Sequence, residues 1–259
     1  MFIESVHNNI IKQIVLLQNK KYRDELSLFI VEGEKQFLQI PAEYNVEYVV
    51  LTQEKEDFIT QINKNIKVYT TTSKLFNKIS TTETPQGIIA VVKKPKYTIE
   101  KITSNKGIFV VLDSIQDPGN LGNIIRTASA YNCKGIFVSK NSVDVFSPKV
   151  VRSSMGTIFN VPIMQEIDII NLFENFKQKN IITYALALQT DNLLSKTKFE
   201  DNIAFIIGNE ASGISSDVLN KVDNLIKIEM FSTIQSLNAA TAMSIALYEG
   251  AKQIYAGKF

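Results

Sequence analysis

Two arrangements of apolar and polar positions alternate along this chain: unbroken apolar runs and stretches with helical spacing. Ile108, Phe109, Val110, Val111 and Leu112 form a continuous apolar run, the pattern of a parallel strand buried on both faces. Leu121, Ile124, Ile125 and Ala128 then recur at i, i+3, i+4 and i+7, which places them on one helix face. Residues 135–138 predict the next strand, so 108–138 reads as a βαβ unit. Further strands are predicted at 181–187, 203–207 and 225–228, and a closing helix carries Ala239, Ala242, Met243, Ala246 and Leu247 on one side. By pattern alone this half is an ordinary doubly wound parallel sheet.

The first 92 residues have a different layout. A helical stretch with Ile10, Ile11, Ile14, Val15 and Leu17 opens the chain. Short strands are predicted at 28–31, 46–51, 67–69 and 88–92, with helices around 35–38 and 58–62. This is a small α/β unit. Residues 93–106 combine Pro95, charge and lost periodicity, the signs of a linker. The expected organisation is therefore α/β throughout, with a domain at 1–92, a linker at 93–106 and a second domain at 107–259.

Composition narrows the chemistry. The chain has 259 residues, 45% hydrophobic and 21% charged, which suits a soluble globular protein. One cysteine, Cys133, and one histidine, His7, argue against a disulfide, a Cys-rich metal site and a histidine-based dyad. No apolar stretch approaches the ~20 residues needed to span a bilayer, and the start does not resemble a secretory signal. A cytoplasmic protein without a metal or a membrane is expected. The net charge of +2 neither demands nor excludes nucleic acid.

Two Gly-rich stretches follow predicted strands. The first is Asp117-Pro118-Gly119-Asn120-Leu121-Gly122-Asn123-Ile124-Ile125-Arg126, and the second is Ile207-Gly208-Asn209-Glu210-Ala211-Ser212-Gly213-Ile214. Such loops bring backbone close to a ligand. The second lacks the lysine of a phosphate loop, and the first lacks dinucleotide-binding glycine spacing. A helix starting near Gly122 would carry Arg126 about one turn in, with Asn120 just before its N-terminus. Arg126 could pair with a surface carboxylate, or with Asn120 it could grip a phosphodiester. Glu210 could cap a turn, contact a cationic ligand or orient Arg126. Ser236 and Asn238 precede the last helix as ordinary caps that can also meet a ligand. Lys149 and Arg152, taken alone, read as solvated charge.

Together these stretches resemble the three motifs of the SpoU/TrmH family, SPOUT-class RNA 2′-O-ribose methyltransferases. The third motif is Ile228-Glu229-Met230 leading through Ser236-Leu237-Asn238 to Tyr248-Glu249, and Arg152-Ser153-Ser154-Met155-Gly156 matches a further recurrent stretch. The N-terminal part is similar to the substrate-binding domain of two-domain, rRNA-type members, built like a small ribosomal protein. That match is carried by 22–33, ending in Glu32-Gly33, and by Thr84-Pro85-Gln86-Gly87-Ile88.

The resemblance implies a C-terminal sheet with a trefoil knot, a homodimer and S-adenosylmethionine as cofactor. It implies methylation of a ribose 2′-hydroxyl in RNA, large-subunit rRNA first. A tRNA enzyme, a non-catalytic RNA-binding paralogue and an antibiotic-resistance enzyme are the alternatives. The implied catalytic set is Arg126, Asn120, Glu210, Ser236 and Asn238. The implied cofactor set is Leu186, Ile207, Gly208, Ile228, Met230 and Leu237. Lys12, Lys20, Lys21, Arg23, Lys35 and Arg152 are the expected RNA contacts.

Overall fold

The computed structural model describes residues 1–233 and 236–256. Its contacts form two compact units, Met1–Lys96 with Asp144–Phe159, and Tyr97–Val143 with Asn160–Phe259.

In the first unit the elements run β1 (Phe2–Ile3), α1 (Asn9–Leu17), α2 (Lys20–Leu26), β2 (Leu28–Glu32), α3 (Glu34–Phe37), β3 (Val46–Thr52), β4 (Lys67–Thr71), α4 (Ser73–Ile79) and β5 (Ile88–Lys93). Asn8 and Asn19 accept backbone N–H groups at the starts of α1 and α2, so the helix expected at 10–17 is followed at once by a second. The 58–62 stretch lies at the end of a 3-10 segment, Gln53–Gln61. The sheet order is β1-β4-β3-β5-β2, with β5 antiparallel to β2 and β3.

By pairing, β2 is an edge strand, yet all of its residues are buried. The cover comes from the distant segment Asp144–Phe159. Phe29 meets Phe146 at 4.9 Å and Phe159 at 6.2 Å between ring centroids. This stretch lies within the sequence expected for the second domain, but it folds with the first unit.

The second unit continues with α5 (Ile99–Ile102), β6 (Ile108–Leu112), α6 (Pro118–Ala130) and β7 (Gly135–Ser139). After α7 (Pro148–Ser153), which belongs to the first unit, come β8 (Ile163–Ile167), α8 (Ile169–Gln178), β9 (Ile182–Leu186), β10 (Ile203–Ile207), α9 (Ser216–Leu219), β11 (Asn224–Ile226) and α10 (Ala239–Ile254). The expected linker is partly ordered structure, since α5 buries Ile102 against Phe109, Phe137 and Phe176. α8 carries Ile169, Leu172, Phe173 and Phe176 at helical spacing onto the same core. Neither β8 nor α8 is among the expected elements.

The sheet is wholly parallel, in the order β11-β9-β10-β6-β7-β8. β6 and β10 are its central strands and are buried throughout, as an unbroken apolar run requires. The chain runs outward through β7 and β8, then returns so that β10 pairs with β6. In an open parallel sheet, the ends of strands flanking such a reversal form the crevice where ligands bind.

Candidate functional site

The first loop leaves β6. Asp117 caps α6 by accepting Asn120 N–H at 2.7 Å, and Pro118 occupies the first helical position. The Asp-Pro pair is a helix-start signal. α6 therefore begins at Pro118, not near Gly122, and Asn120 lies in its first turn. Arg126 is six residues further, about 9 Å along the axis and on a different face.

The second loop leaves β10 and doubles back tightly. Asn209 and Gly213 exchange backbone hydrogen bonds at 2.9 Å. A Cβ on Gly208 would overlap the backbone of Gly213 and Ile214, so only glycine permits this turn. Gly213 has open space but a φ of +73°, so its need is conformational. Asn209 Oδ1 accepts Ala211 and Ser212 N–H, and its amide donates to Ser114 O at 2.9 Å. Asp113, buried at the end of β6, accepts Ser215 N–H at 2.8 Å and ties the two loops together. Asp113 was not among the expected site residues; a lone carboxylate directly after a buried strand was its signal.

Glu210 joins the loops by a second route. Its carboxylate accepts the Asn120 amide at 2.8 Å and the backbone N–H groups of Gln116 and Asp117 at 3.3 Å. Burial pushes its pKa up, but the Asn120 amide and the backbone donors outweigh it and hold the carboxyl below the ordinary value. Asn120 Oδ1 in turn accepts the Asn238 amide at 2.8 Å, and Asn238 Oδ1 caps α10 through Ala240 and Thr241 N–H.

Glu210 and Arg126, expected to meet across or near a dimer interface, do not pair with each other within one chain. Glu210 is occupied by Asn120, and Arg126 has turned away along α6. Arg126 is exposed and makes no hydrogen bond or ion pair among the described residues.

The loops after β9, β10 and β11, with the start of α10, surround a cavity of about 510 Å³. All six expected cofactor residues, Leu186, Ile207, Gly208, Ile228, Met230 and Leu237, line it, as do Glu210, Ser236 and Asn238. A groove of about 610 Å³ lies at the opposite, amino-terminal ends of the strands, among Lys106, Ile182, Thr183 and Asn202. Its size does not favour it, because parallel sheets bind ligands at their carboxyl ends. Among the described residues, no group of three or more His, Cys, Asp and Glu converges as metal ligands would. No helix among them is long and apolar enough to cross a membrane.

Of the expected RNA contacts, Lys12, Lys20, Lys21 and Lys35 are exposed. Lys20 pairs with Asp24 at 2.8 Å. Arg152 is half-buried and donates to Thr81. Arg23 is a correction: it is 3% exposed, with Nε 2.8 Å from Asp144 Oδ2 and Nη1 2.8 Å from Leu17 O. A guanidinium spent on a buried carboxylate cannot also reach a phosphate.

Residues 107–248 match the SpoU rRNA Methylase family, and residues 8–90 match the MRM3-like substrate binding domain. The chain is 28% identical to the 23S rRNA (guanosine(2553)-2′-O)-methyltransferase RlmP of Bacillus subtilis, over 95% of this chain and 97% of that one. It is 30% identical to a 23S rRNA (uridine(2479)-2′-O)-methyltransferase of Streptomyces viridochromogenes, over 68% of this chain and 63% of that one. Among solved structures, the AdoMet-bound rRNA methyltransferase of Sinorhizobium meliloti superposes with a TM-score of 0.84 at 26% identity, covering 97% of both chains. The S. viridochromogenes methyltransferase AviRb in complex with AdoMet superposes with a TM-score of 0.88 at 25% identity, covering 97% of this chain and 100% of that one.

Proposed function

The chain belongs to the SpoU rRNA Methylase family, and on that premise we propose that it methylates a ribose 2′-hydroxyl of RNA, with large-subunit rRNA as substrate and S-adenosylmethionine as methyl donor. The observation that carries this reading is the convergence of three separate loops and the start of α10 on one cavity at the carboxyl ends of β9, β10 and β11. Two relatives spanning most of this chain bear 23S rRNA 2′-O-methyltransferase names, which favours rRNA over tRNA.

The cavity suits the cofactor. Its volume falls within the about 300–1,000 Å³ of small-molecule sites. Leu186, Ile207, Ile228 and Leu237 give apolar walls for a nucleoside, and Gly208 lets backbone approach it without a side chain between. The bound cofactor supplies an electrophilic methyl group on a sulfonium. The protein must hold the RNA hydroxyl and stabilise charge developing on its oxygen. Arg126, always protonated, binds the neighbouring phosphate and stabilises the forming alkoxide. The hydroxyl proton passes to a phosphate oxygen or to water. Asn120, oriented by Glu210 and Asn238, positions the ribose, and Ser236 helps to shape the transfer site.

A homodimer belongs to the same proposal. Its support is that Arg126 is exposed and without a hydrogen bond or ion pair among the described residues, and that α10 exposes Ile245 and Tyr248; a second copy would cover these and complete the site. A C-terminal trefoil knot, a build like that of a small ribosomal protein for the first unit and a cytoplasmic location are further parts. In support of the knot, Lys227 pairs with Leu193 inside the connection between β9 and β10. Lys12, Lys20, Lys21, Lys35 and Arg152 are the proposed RNA contacts of the first unit.

The test is incubation with labelled S-adenosylmethionine and total rRNA or tRNA, then nuclease digestion and mass mapping. A single 2′-O-methyl nucleotide in large-subunit rRNA is the expected product. A label on a base, on tRNA alone or on no RNA overturns the reading. A monomer by light scattering at micromolar concentration overturns the dimer.

A further inference from the structure

In the first unit, a second cleft has polar groups that the fold leaves unused. β2 ends at Glu32, and the chain turns at Gly33 with a φ of +109°. A Cβ there would lie 2.6 Å from Gln36 Oε1 and 3.0 Å from Gln86 Oε1. Two side-chain amides therefore converge over a residue that has no side chain. They border a cavity of about 460 Å³, walled by Glu32, Thr81, Thr82 and Arg152.

The hydrogen-bond inventory separates the structural groups from the available ones. Glu32 Oε1 accepts Ser80 Oγ and Thr82 Oγ1, and Oε2 accepts Thr81 N–H and Oγ1. A carboxylate offers about four lone-pair sites, so Glu32 is saturated. It builds the 80–82 wall and has nothing left for a ligand. Gln86 Oε1 accepts Glu34 N–H at 2.9 Å, which fixes that amide and leaves its NH₂ to donate elsewhere. Gln36 makes no side-chain hydrogen bond among the described residues. Arg152 uses Nη1 on Thr81 O at 3.4 Å and Thr81 Oγ1 at 3.2 Å, leaving Nε and Nη2 unused among the described residues.

The unspent groups are thus one guanidinium edge and two amides, which together offer donors and an acceptor. An amide presenting both is the complement of a base edge, and a guanidinium is the complement of a phosphate. Exposed Glu83 on the rim disfavours a bare polyphosphate and offers an acceptor suited to an amino group of a base. We propose that this cleft binds one unpaired nucleotide of the RNA substrate, its phosphate on Arg152 and its base edge on the amides of Gln36 and Gln86. Unpaired bases are the usual carriers of sequence recognition in RNA, so the cleft selects the RNA site and takes no part in methyl transfer. The proposal rests on the RNA-methylation reading above.

Gln36→Leu and Gln36→Glu test it, because Gln36 supports no other residue through a side-chain hydrogen bond. In the full-length protein, both variants are expected to raise KM for a substrate rRNA fragment about tenfold, the order of one lost base contact. kcat at saturating RNA, the Kd for S-adenosylmethionine and the melting temperature are expected to stay at wild-type values. If the wild type methylates the fragment and both variants keep its KM within twofold, the cleft proposal fails alone. If the wild type neither binds nor methylates RNA, the functional reading fails and the cleft proposal fails with it.

Discussion

Asn238 donates its side-chain amide to Asn120 Oδ1 at 2.8 Å, linking the start of α10 to the start of α6 across 118 residues of sequence. The bond has a direction. Glu210 can only accept, so the Asn120 NH₂ must face it and the Asn120 oxygen must face Asn238. The Asn238 oxygen is then left to cap α10. One carboxylate thereby sets the orientation of two amides and a helix N-terminus.

Asn238→Ala removes both the cap and the Asn120 donor. Loss of a cap destabilises by about 1 kcal/mol. A fall in methyl transfer of at least about tenfold is also expected, because Asn120 loses its fixed orientation. Urea melts and single-turnover rates measure the two effects separately, and a stability loss at full activity would refute the relay.

Arg126 makes no hydrogen bond or ion pair among the described residues, so Arg126→Ala should change stability by no more than about 0.5 kcal/mol. Methyl transfer should fall by about 10²–10³, as when a charge-stabilising donor is removed. Near wild-type transfer by the folded variant would remove Arg126 from the mechanism.

The Glu210 carboxyl has its pKa lowered in the folded protein. A depressed folded value means that its contribution is complete above the ordinary carboxylate range and is lost as pH falls through the folded value. The melting temperature of the wild type should exceed that of Glu210→Gln at neutral pH. The gap should close as pH drops below the ordinary carboxylate range; a gap that stays constant with pH would contradict the assignment.

Breaking the buried Arg23–Asp144 pair from one side leaves an uncompensated charge, which destabilises by about 3–5 kcal/mol. Arg23→Met should show that loss in urea melts, and Arg23→Met with Asp144→Leu should recover most of it. RNA affinity of the double variant is expected within twofold of wild type, since Arg23 is buried. Deleting residues 1–96 is a poor substitute, because it would bare Phe146, Val150 and Phe159, which pack with them in the first unit.

Gly208→Ala should abolish S-adenosylmethionine binding by forcing the turn open, whereas Gly213→Ala meets only the about 1–2 kcal/mol strain of a left-handed residue. Calorimetric titration of both variants distinguishes the two roles; equal affinities would show that the close approach at Gly208 does not shape the cavity.

Much of this molecule is legible along the chain. The unbroken run 108–112 could only be a strand buried on both faces, and β6 is one. Leu121, Ile124, Ile125 and Ala128 lie on the buried face of α6. The same local rules apply to α8, with its Asp168 cap and apolar spacing, although α8 is not among the expected elements. Glycines at 208 and 213 pointed to a loop with a close backbone approach, and at 208 only glycine fits it. These features are local, since helix spacing, caps and positive φ depend on near neighbours.

Pairing across long separations is not local, and there the tertiary structure decided. Arg23 looks like its exposed neighbours Lys20 and Lys21 until Asp144, 121 residues away, buries it. Glu210 was expected to orient Arg126; within the chain it meets Asn120 instead, a pairing the sequence did not suggest. The segment 144–159 follows β7 in sequence but folds with the first unit, because the face of β2 offers the apolar surface that Phe146 and Phe159 need. Sequence set which groups the chain carries and how each short stretch folds. Only the packed structure set which distant group meets each one, because burial and pairing belong to the pair and not to either residue.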